Sequence, residues 1–374
     1  MMILSNKFES IFFILLSVFI ITFTLYLGDW NISTFCNFGQ QTISEKFPLR
    51  IIIFDGSIGY DGQYYCRMAI EPFNLSRESL GVNLDPISYR YSRLLYPLLA
   101  WFLSFNLPFL SILNLFLINL ISIYLIYLIG KKYLKFDHFI FYIPFLPYVV
   151  LRNTAELLCI LFITLSIFAL SNKKIIFFSI FSIFAILTRE TSLIFYLIAG
   201  SLFFLKNKIN FYQLVFLLLP AFVFFIWRVI LFYLFKDYPE IVGIKVNFNF
   251  QELSFLKNYF LILSKITQPK YLIYSLQLSL IIWFMINVIL RINFRKLDYI
   301  SLSFIAYIII FNFLASHIYI SDFAFFRVLP EIFILGFIIA YRDNTLNYKF
   351  KLPLIILFVL NIFRIAYNHY IYLY

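Results

Sequence analysis

Apolar residues run along this chain in long, nearly unbroken stretches. They show neither the alternation of a half-buried strand nor the one-sided stripe of a soluble surface helix. The first run is 11–28, IFFILLSVFIITFTLYLG. Ten more cover 108–129, 139–151, 155–170, 175–187, 192–205, 211–235, 271–290, 299–315, 326–340 and 352–372. At 1.5 Å per residue, about 20 apolar residues cross a hydrocarbon core. The longer runs meet that length. The shorter ones need thinned bilayer, snorkelling flanks or ends lined by protein. Run 11–28 follows Lys7 as a signal peptide would, but the LGDW behind it is a poor cleavage site, so it reads as an uncleaved first span. Two polar stretches interrupt the pattern: 29–107, with a juxtamembrane apolar segment at 94–107, and 236–270. Within the second, Leu253, Leu256, Phe260 and Leu263 recur at helical spacing and predict an interfacial helix.

Segment 94–107 (LLYPLLAWFLSFNL) reads either as a span or as a helix on the membrane surface, and the basic residues decide between them. If it does not cross, the short loops on one face hold Lys7, Lys131, Lys132, Lys135, Lys173, Lys174, Lys206, Lys208, Arg291, Arg295, Lys296, Arg342, Lys349 and Lys351. The opposite short loops hold only Arg152, Arg189 and Arg327. The positive-inside rule then favours eleven spans, with the N-terminus cytoplasmic. The expected architecture is an all-α integral membrane protein, 1–374 forming one polytopic domain, with its large first loop outside.

Composition agrees. Apolar residues are 63% of the chain and charged residues 13%, against roughly 45–50% and 25% in soluble proteins. Only four acids (Glu9, Asp137, Asp298, Asp343) share the basic face, so that face accounts for most of the net charge of +12. The charge records topology and not a nucleic-acid partner, and no P-loop is present. Three cysteines are too few for a disulfide framework. Cys36 and Cys66 could pair in an oxidising compartment, but the odd total favours three free thiols. The abundance of Phe, Tyr and Ile makes aromatic residues weak evidence for function.

The first outer loop carries the candidate chemistry. Residues 54–67 read FDGSIGYDGQYYCR, which sets Asp55 and Asp61 among three glycines. Such Asp-Gly pairs serve ordinary turns as well as ligand sites. In YRYSRLLYP (89–97), Arg90 and Arg93 are three residues apart and would share a helix face at the membrane surface. Headgroup anchoring is the plain alternative. Elsewhere outside, Glu156 suits the first turn of a helix, Arg152 precedes it, and the plain reading of the adjacent Arg189 and Glu190 is a pair with each other. Asp322 and Arg327 flank the start of the run 326–340. Arg228 lies inside the run 211–235, about 10 Å from its outer end, and either snorkels or points into a cavity. The mid-span regions are otherwise nearly bare of charge. No His/Cys/Asp cluster has metal-ligand spacing.

The combination of GYDGQYYCRMAIEPF (59–73), YRYSRLLYPLLAWFLSF (89–105) and LTRETSL (187–193) resembles a family of polytopic bacterial proteins linked to cell-surface glycopolymer formation, which look like members of the GT-C glycosyltransferase superfamily. The resemblance is sharp in the first 110 residues and around Arg189. It implies a bacterial cytoplasmic-membrane enzyme whose active face is periplasmic or extracellular. Asp61 holds the position of the catalytic base, Asp55 is the second choice, and Gln63 and Tyr64 would line the site. The implied partners are the lipid bilayer, a polyprenyl-phosphate sugar donor and a glycan, lipid or protein acceptor. Arg90, Arg93, Arg189 and Arg327 would bind the donor phosphate, because a guanidinium fork matches phosphate oxygens. Arg152, Glu156, Glu190, Arg228 and Asp322 would line the site. No cofactor is implied, although Asp55 and Asp61 could instead share a divalent cation. The rival expectation is a transporter or flippase of a lipid-linked saccharide. An assembly subunit without catalysis and a membrane acyltransferase are further alternatives.

Overall fold

A computed structural model describes residues 11, 15, 18–19, 21–26, 28–40, 47–54, 59–84, 86–134, 138–249, 254–320, 329–342 and 348–373. Asp55, Asp322 and Arg327 lie outside the described residues. The chain is mostly helical with little sheet.

The first loop after 11–28 contains α1 (Asp61–Ile70), α2 (Ile87–Tyr91) and α3 (Leu95–Phe102). Its short strands are β1 (Phe38–Gly39) parallel to β2 (Ile53–Phe54), and β3 (Glu78–Ser79) antiparallel to β4 (Val82–Asn83). There follow α4 (Pro108–Tyr133), α5 (Leu146–Leu151), α6 (Glu156–Ser171), α7 (Ile175–Thr188), α8 (Ser192–Lys206) and α9 (Phe211–Phe235). The remainder is α10 (Pro239–Asn247), α11 (Ser254–Ser264), α12 (Pro269–Ile289), α13 (Tyr299–Phe311), α14 (Ser316–Ile320), α15 (Glu331–Arg342) and α16 (Tyr348–Leu373). Helices α4, α9 and most of α12 (Lys270–Ile289) are long and apolar enough to cross a bilayer.

Helix α3 has eight residues, about 12 Å, too short to cross by itself. Phe105 and Asn106, both with positive φ, turn the chain into α4 at Pro108. Helix α11 buries Phe255, Asn258 and Ile262 and leaves Leu256 and Phe260 exposed.

The expected run 139–151 is not one helix. A 3-10 segment (His138–Tyr142) breaks before Pro144, and α5 has only six residues. All of 143–151 is buried regardless. Asn119 explains where this broken segment ends. Its Nδ2 donates to the carbonyls of Val149 (3.3 Å) and Thr154 (3.1 Å). Asn119 lies about 17 Å along α4 from Pro108. The 149–154 turn therefore reaches only part of the way along α4. Helices α6, α7 and α8 have 16, 14 and 15 residues, and the start of α6 is joined to the α7–α8 turn by an ion pair between Glu156 and Arg189. Helix α1 packs against α3 and α4.

Two expectations are corrected here. Cys36 and Cys66 form a disulfide, with Cα atoms 5.9 Å apart, and only Cys159 is a free cysteine. The odd count misled, because the third thiol is simply a buried apolar side chain on α6. The mid-span regions are also not bare. Arg364 Nη1 donates to Gln277 Oε1 (2.8 Å), Gln277 Nε2 to Asn361 Oδ1 (2.7 Å), and Asn361 Nδ2 to the Pro144 carbonyl (2.7 Å). The Arg364 guanidinium also stacks 4.0 Å from the Tyr274 ring centroid. Neutral amides shelter this charge inside the α12–α16 packing.

Candidate active site

The GYDGQ segment is built by close backbone approaches. Gly59 has φ +74°, a left-handed conformation that glycine adopts without steric cost. Tyr60 then starts α1, its N–H donating to the Asn37 carbonyl. Asp61 occupies the first turn, where a carboxylate suits the helix dipole. Gly62 is squeezed against the α5–α6 turn: a Cβ there would lie 2.2 Å from the Arg152 carbonyl oxygen and 2.9 Å from that of Cys36. Gln63 is buried, and its Oε1 accepts from the Gly39 N–H at 3.2 Å. Gln63 thus ties the helix to β1. The disulfide at Cys66 makes a second tie.

Asp61 Oδ1 accepts from Arg90 Nη1 at 2.9 Å, and the two side chains are only 19% and 16% exposed. The Arg90 guanidinium sits 4.0 Å over the Tyr64 ring. Burial is the largest single influence and works against its charge, but Asp61, together with Tyr64, Tyr89 and Tyr65, holds its pKa above the usual value.

Arg93 lies in the turn after α2 and does not share Arg90's partner. It grips Glu190 with two nitrogens, Nε to Oε2 at 2.9 Å and Nη2 to Oε1, and also donates to the Tyr89 hydroxyl. Burial would raise the Glu190 pKa, but Arg93, helped by Arg189 and Arg228, holds it down to about 2. Arg189 pairs with Glu156, Nη1 to Oε1 at 2.8 Å, and both side chains are almost fully buried. This corrects the expected Arg189–Glu190 pair. Neighbours in an extended turn point apart, and each finds its partner on another element. Glu156 is in the first turn of α6, as expected.

Glu331, at the start of α15, is buried beside this pair and accepts from Thr191 Oγ1 at 2.6 Å. Nothing in the sequence marks it, because a carboxylate after Pro330 reads as an ordinary helix start. Arg67 was also overlooked. It is fully buried and donates to the carbonyls of Ser76, Arg77 and Val82, which makes it a clamp on the β3–β4 hairpin.

Arg152 lies between the rings of Tyr60 and Phe54, at 5.5 and 5.8 Å. Arg228 is buried over the Phe224 ring (4.6 Å) and lines a cavity of about 100 Å³ with Tyr89, Ser92, Glu190, Thr191 and Asn247. It therefore faces the interior and does not snorkel. Tyr65 links the whole arrangement. Its hydroxyl is pushed up to about 12, chiefly by burial, and it senses the charges of Arg93, Glu156, Asp61 and Arg189.

Asp61, Arg90, Arg93, Glu156, Arg189 and Glu190 therefore belong to one electrostatic neighbourhood drawn from α1, α2, the α2–α3 turn, α6 and the α7–α8 turn. Chemically, it offers a partly accessible carboxylate next to guanidinium groups that an anion could engage. Protein families, curated proteins and solved structures were all compared with this chain, and none matches it.

Proposed function

We propose that this chain is an inverting GT-C-type glycosyltransferase of a bacterial cytoplasmic membrane, with eleven spans, its N-terminus inside and its active face outside. The observation that carries the reading is Asp61, held in the first turn of α1 against Arg90, with the Arg93–Glu190 and Arg189–Glu156 pairs in the same electrostatic neighbourhood. The Cys36–Cys66 pairing supports an oxidising, outer location for the same loop. A polyprenyl-phosphate sugar suits such a site, since nucleotide sugars are cytosolic.

In the resting state Arg90 covers Asp61. The donor phosphate draws Arg90 away and frees the carboxylate. The acceptor hydroxyl oxygen then attacks the anomeric carbon, and Asp61 takes its proton. The bond from that carbon to the phosphate oxygen breaks, and the lipid phosphate leaves with the electron pair. Arg90 steadies the growing phosphate charge. Arg93 and Arg189 already hold Glu190 and Glu156, so they set the site's potential and tie its elements together. The test is transfer from a labelled lipid-phosphate sugar by purified protein. Asp61→Asn removes the base and abolishes transfer with the fold intact. Near-normal transfer by that variant sinks the assignment.

A transporter of a lipid-linked saccharide remains the second reading, favoured by the buried Arg364–Gln277–Asn361 string inside α12 and α16. Movement of a labelled lipid-linked sugar across a vesicle wall, lost in Arg364→Gln and kept in Asp61→Asn, would select it.

A further inference from the structure

At the opposite end of α7 from Arg189, a second cavity opens between the starts of α7 and α9. It has a volume of about 370 Å³ and is walled by Lys173, Lys174, Ile176, Phe177, Tyr212 and Phe216, among others. Phe177 and Tyr212 are 51% and 60% exposed, so in a membrane its apolar wall opens to lipid. It lies at the end of the helices where the chain's basic loops gather.

The polar groups on this wall are donors. None of the ion pairs among the described residues involves Lys173 or Lys174. Both lysines directly precede α7, on the side of the helix dipole that disfavours cations. Their charges gain from an anion twice over, by direct attraction and by relief of that clash. Asn210 and Gln213 use their carbonyl oxygens in a reciprocal cap at the start of α9, so their amide NH2 groups remain as donors.

We infer that this cavity is a binding site for an anionic phospholipid of the surrounding leaflet. The phosphodiester lies between Lys173 and Lys174, and an acyl chain runs along Phe177 and Phe216. Charge and shape both enter the argument. A zwitterionic lipid brings its own cation towards the lysines, and a free phosphate leaves the apolar wall uncovered. The site does not depend on the catalytic reading.

The experiment uses the full chain in nanodiscs or mild detergent, with retained lipid counted by mass spectrometry. Phosphatidylglycerol is offered against phosphatidylcholine. A lysine near an anionic headgroup is worth about fivefold in affinity, so the pair is worth about thirtyfold. Wild-type protein retains phosphatidylglycerol in preference. The Lys173→Gln/Lys174→Gln variant loses at least tenfold of that preference, and Lys206→Gln/Lys208→Gln, on the same face, keeps it. Equal retention of the two lipids by wild type overturns the proposal, as does an unchanged preference in the Lys173/Lys174 variant. Displacement of the lipid by millimolar inorganic phosphate overturns the choice of lipid as occupant. A photo-cross-linking residue in place of Tyr212 provides a test in a chain that keeps both lysines. Capture of phosphatidylglycerol over phosphatidylcholine supports the site, and equal capture refutes it.

Discussion

The Arg189–Glu156 pair joins α6 to the α7–α8 turn, and its energetic role is measurable. Glu156→Gln keeps the shape and removes the charge, which leaves a buried guanidinium short of its main counter-ion. Breaking one side of a buried pair costs about 3–5 kcal/mol. Arg189 also feels Glu331 and Glu190, so the lower figure applies, about 3 kcal/mol. At roughly 2 °C per kcal/mol for a chain of this size, the unfolding midpoint falls by about 6 °C. The protein carries its own reporter. Cys159 is a free, fully buried thiol on α6, one turn from Glu156, and the other two cysteines are joined to each other. A thiol-reactive dye added during heating therefore reacts as this helix comes apart. Arg189→Gln should show a similar fall, and the double variant should fall by less than the two together, by at least about 2 kcal/mol of coupling. Additive single effects, or a Glu156→Gln midpoint within about 1 °C of wild type, would refute the pairing.

Gly62→Ala should disrupt the docking of α1, because the added Cβ meets the Arg152 carbonyl at 2.2 Å. A fall in yield of folded protein, absent for a surface Ser76→Ala control, checks this. Cys66→Ser opens a bridge spanning 30 residues, and loop-closure entropy places the loss at about 3–4 kcal/mol. Reductant should lower the wild-type midpoint by as much and leave the variant unmoved. The Arg93–Glu190 contact has a defined pH window. The folded-state pKa of Glu190 is depressed from 4.5 to about 2, so its stabilisation is fully present above about 4.5 and is lost as pH falls towards 2. The midpoint difference between wild type and Glu190→Gln should shrink over that interval and stay flat above it.

Much of this architecture was legible in the residues. The apolar runs mark α4, α9 and α12 because lipid leaves a helix of that length no alternative. The GYDGQ segment announced itself by glycine spacing, and Asp61 does meet Arg90. The partners of Arg93 and Arg189 were not legible, because they lie 97 and 33 residues away and every candidate carboxylate looks alike from sequence. The broken helix at 139–151 was hidden for another reason. Its residues are buried by protein and not by lipid, and both environments select the same apolar composition. Arg364 escaped notice because its shelter is two amides, Gln277 directly and Asn361 behind it, which carry no charge to mark them.

The contact between Gly62 and Arg152 also sets an order of events during synthesis. The helix bearing Asp61 is made before its seat. Arg93 and Glu190 are separated by 97 residues, so at about 5–20 residues per second the arginine waits roughly 5–20 s for its carboxylate. During that interval Arg93 lacks its carboxylate, while the Asp61–Arg90 pair and the Cys36–Cys66 bridge, which spans only 30 residues, lie wholly within the first loop and are already within reach. The disulfide can thus hold the loop in a near-finished shape until α6 and α7 arrive. The early-made α1 then settles onto the later-made α5–α6 turn, where Gly62 meets the Arg152 carbonyl.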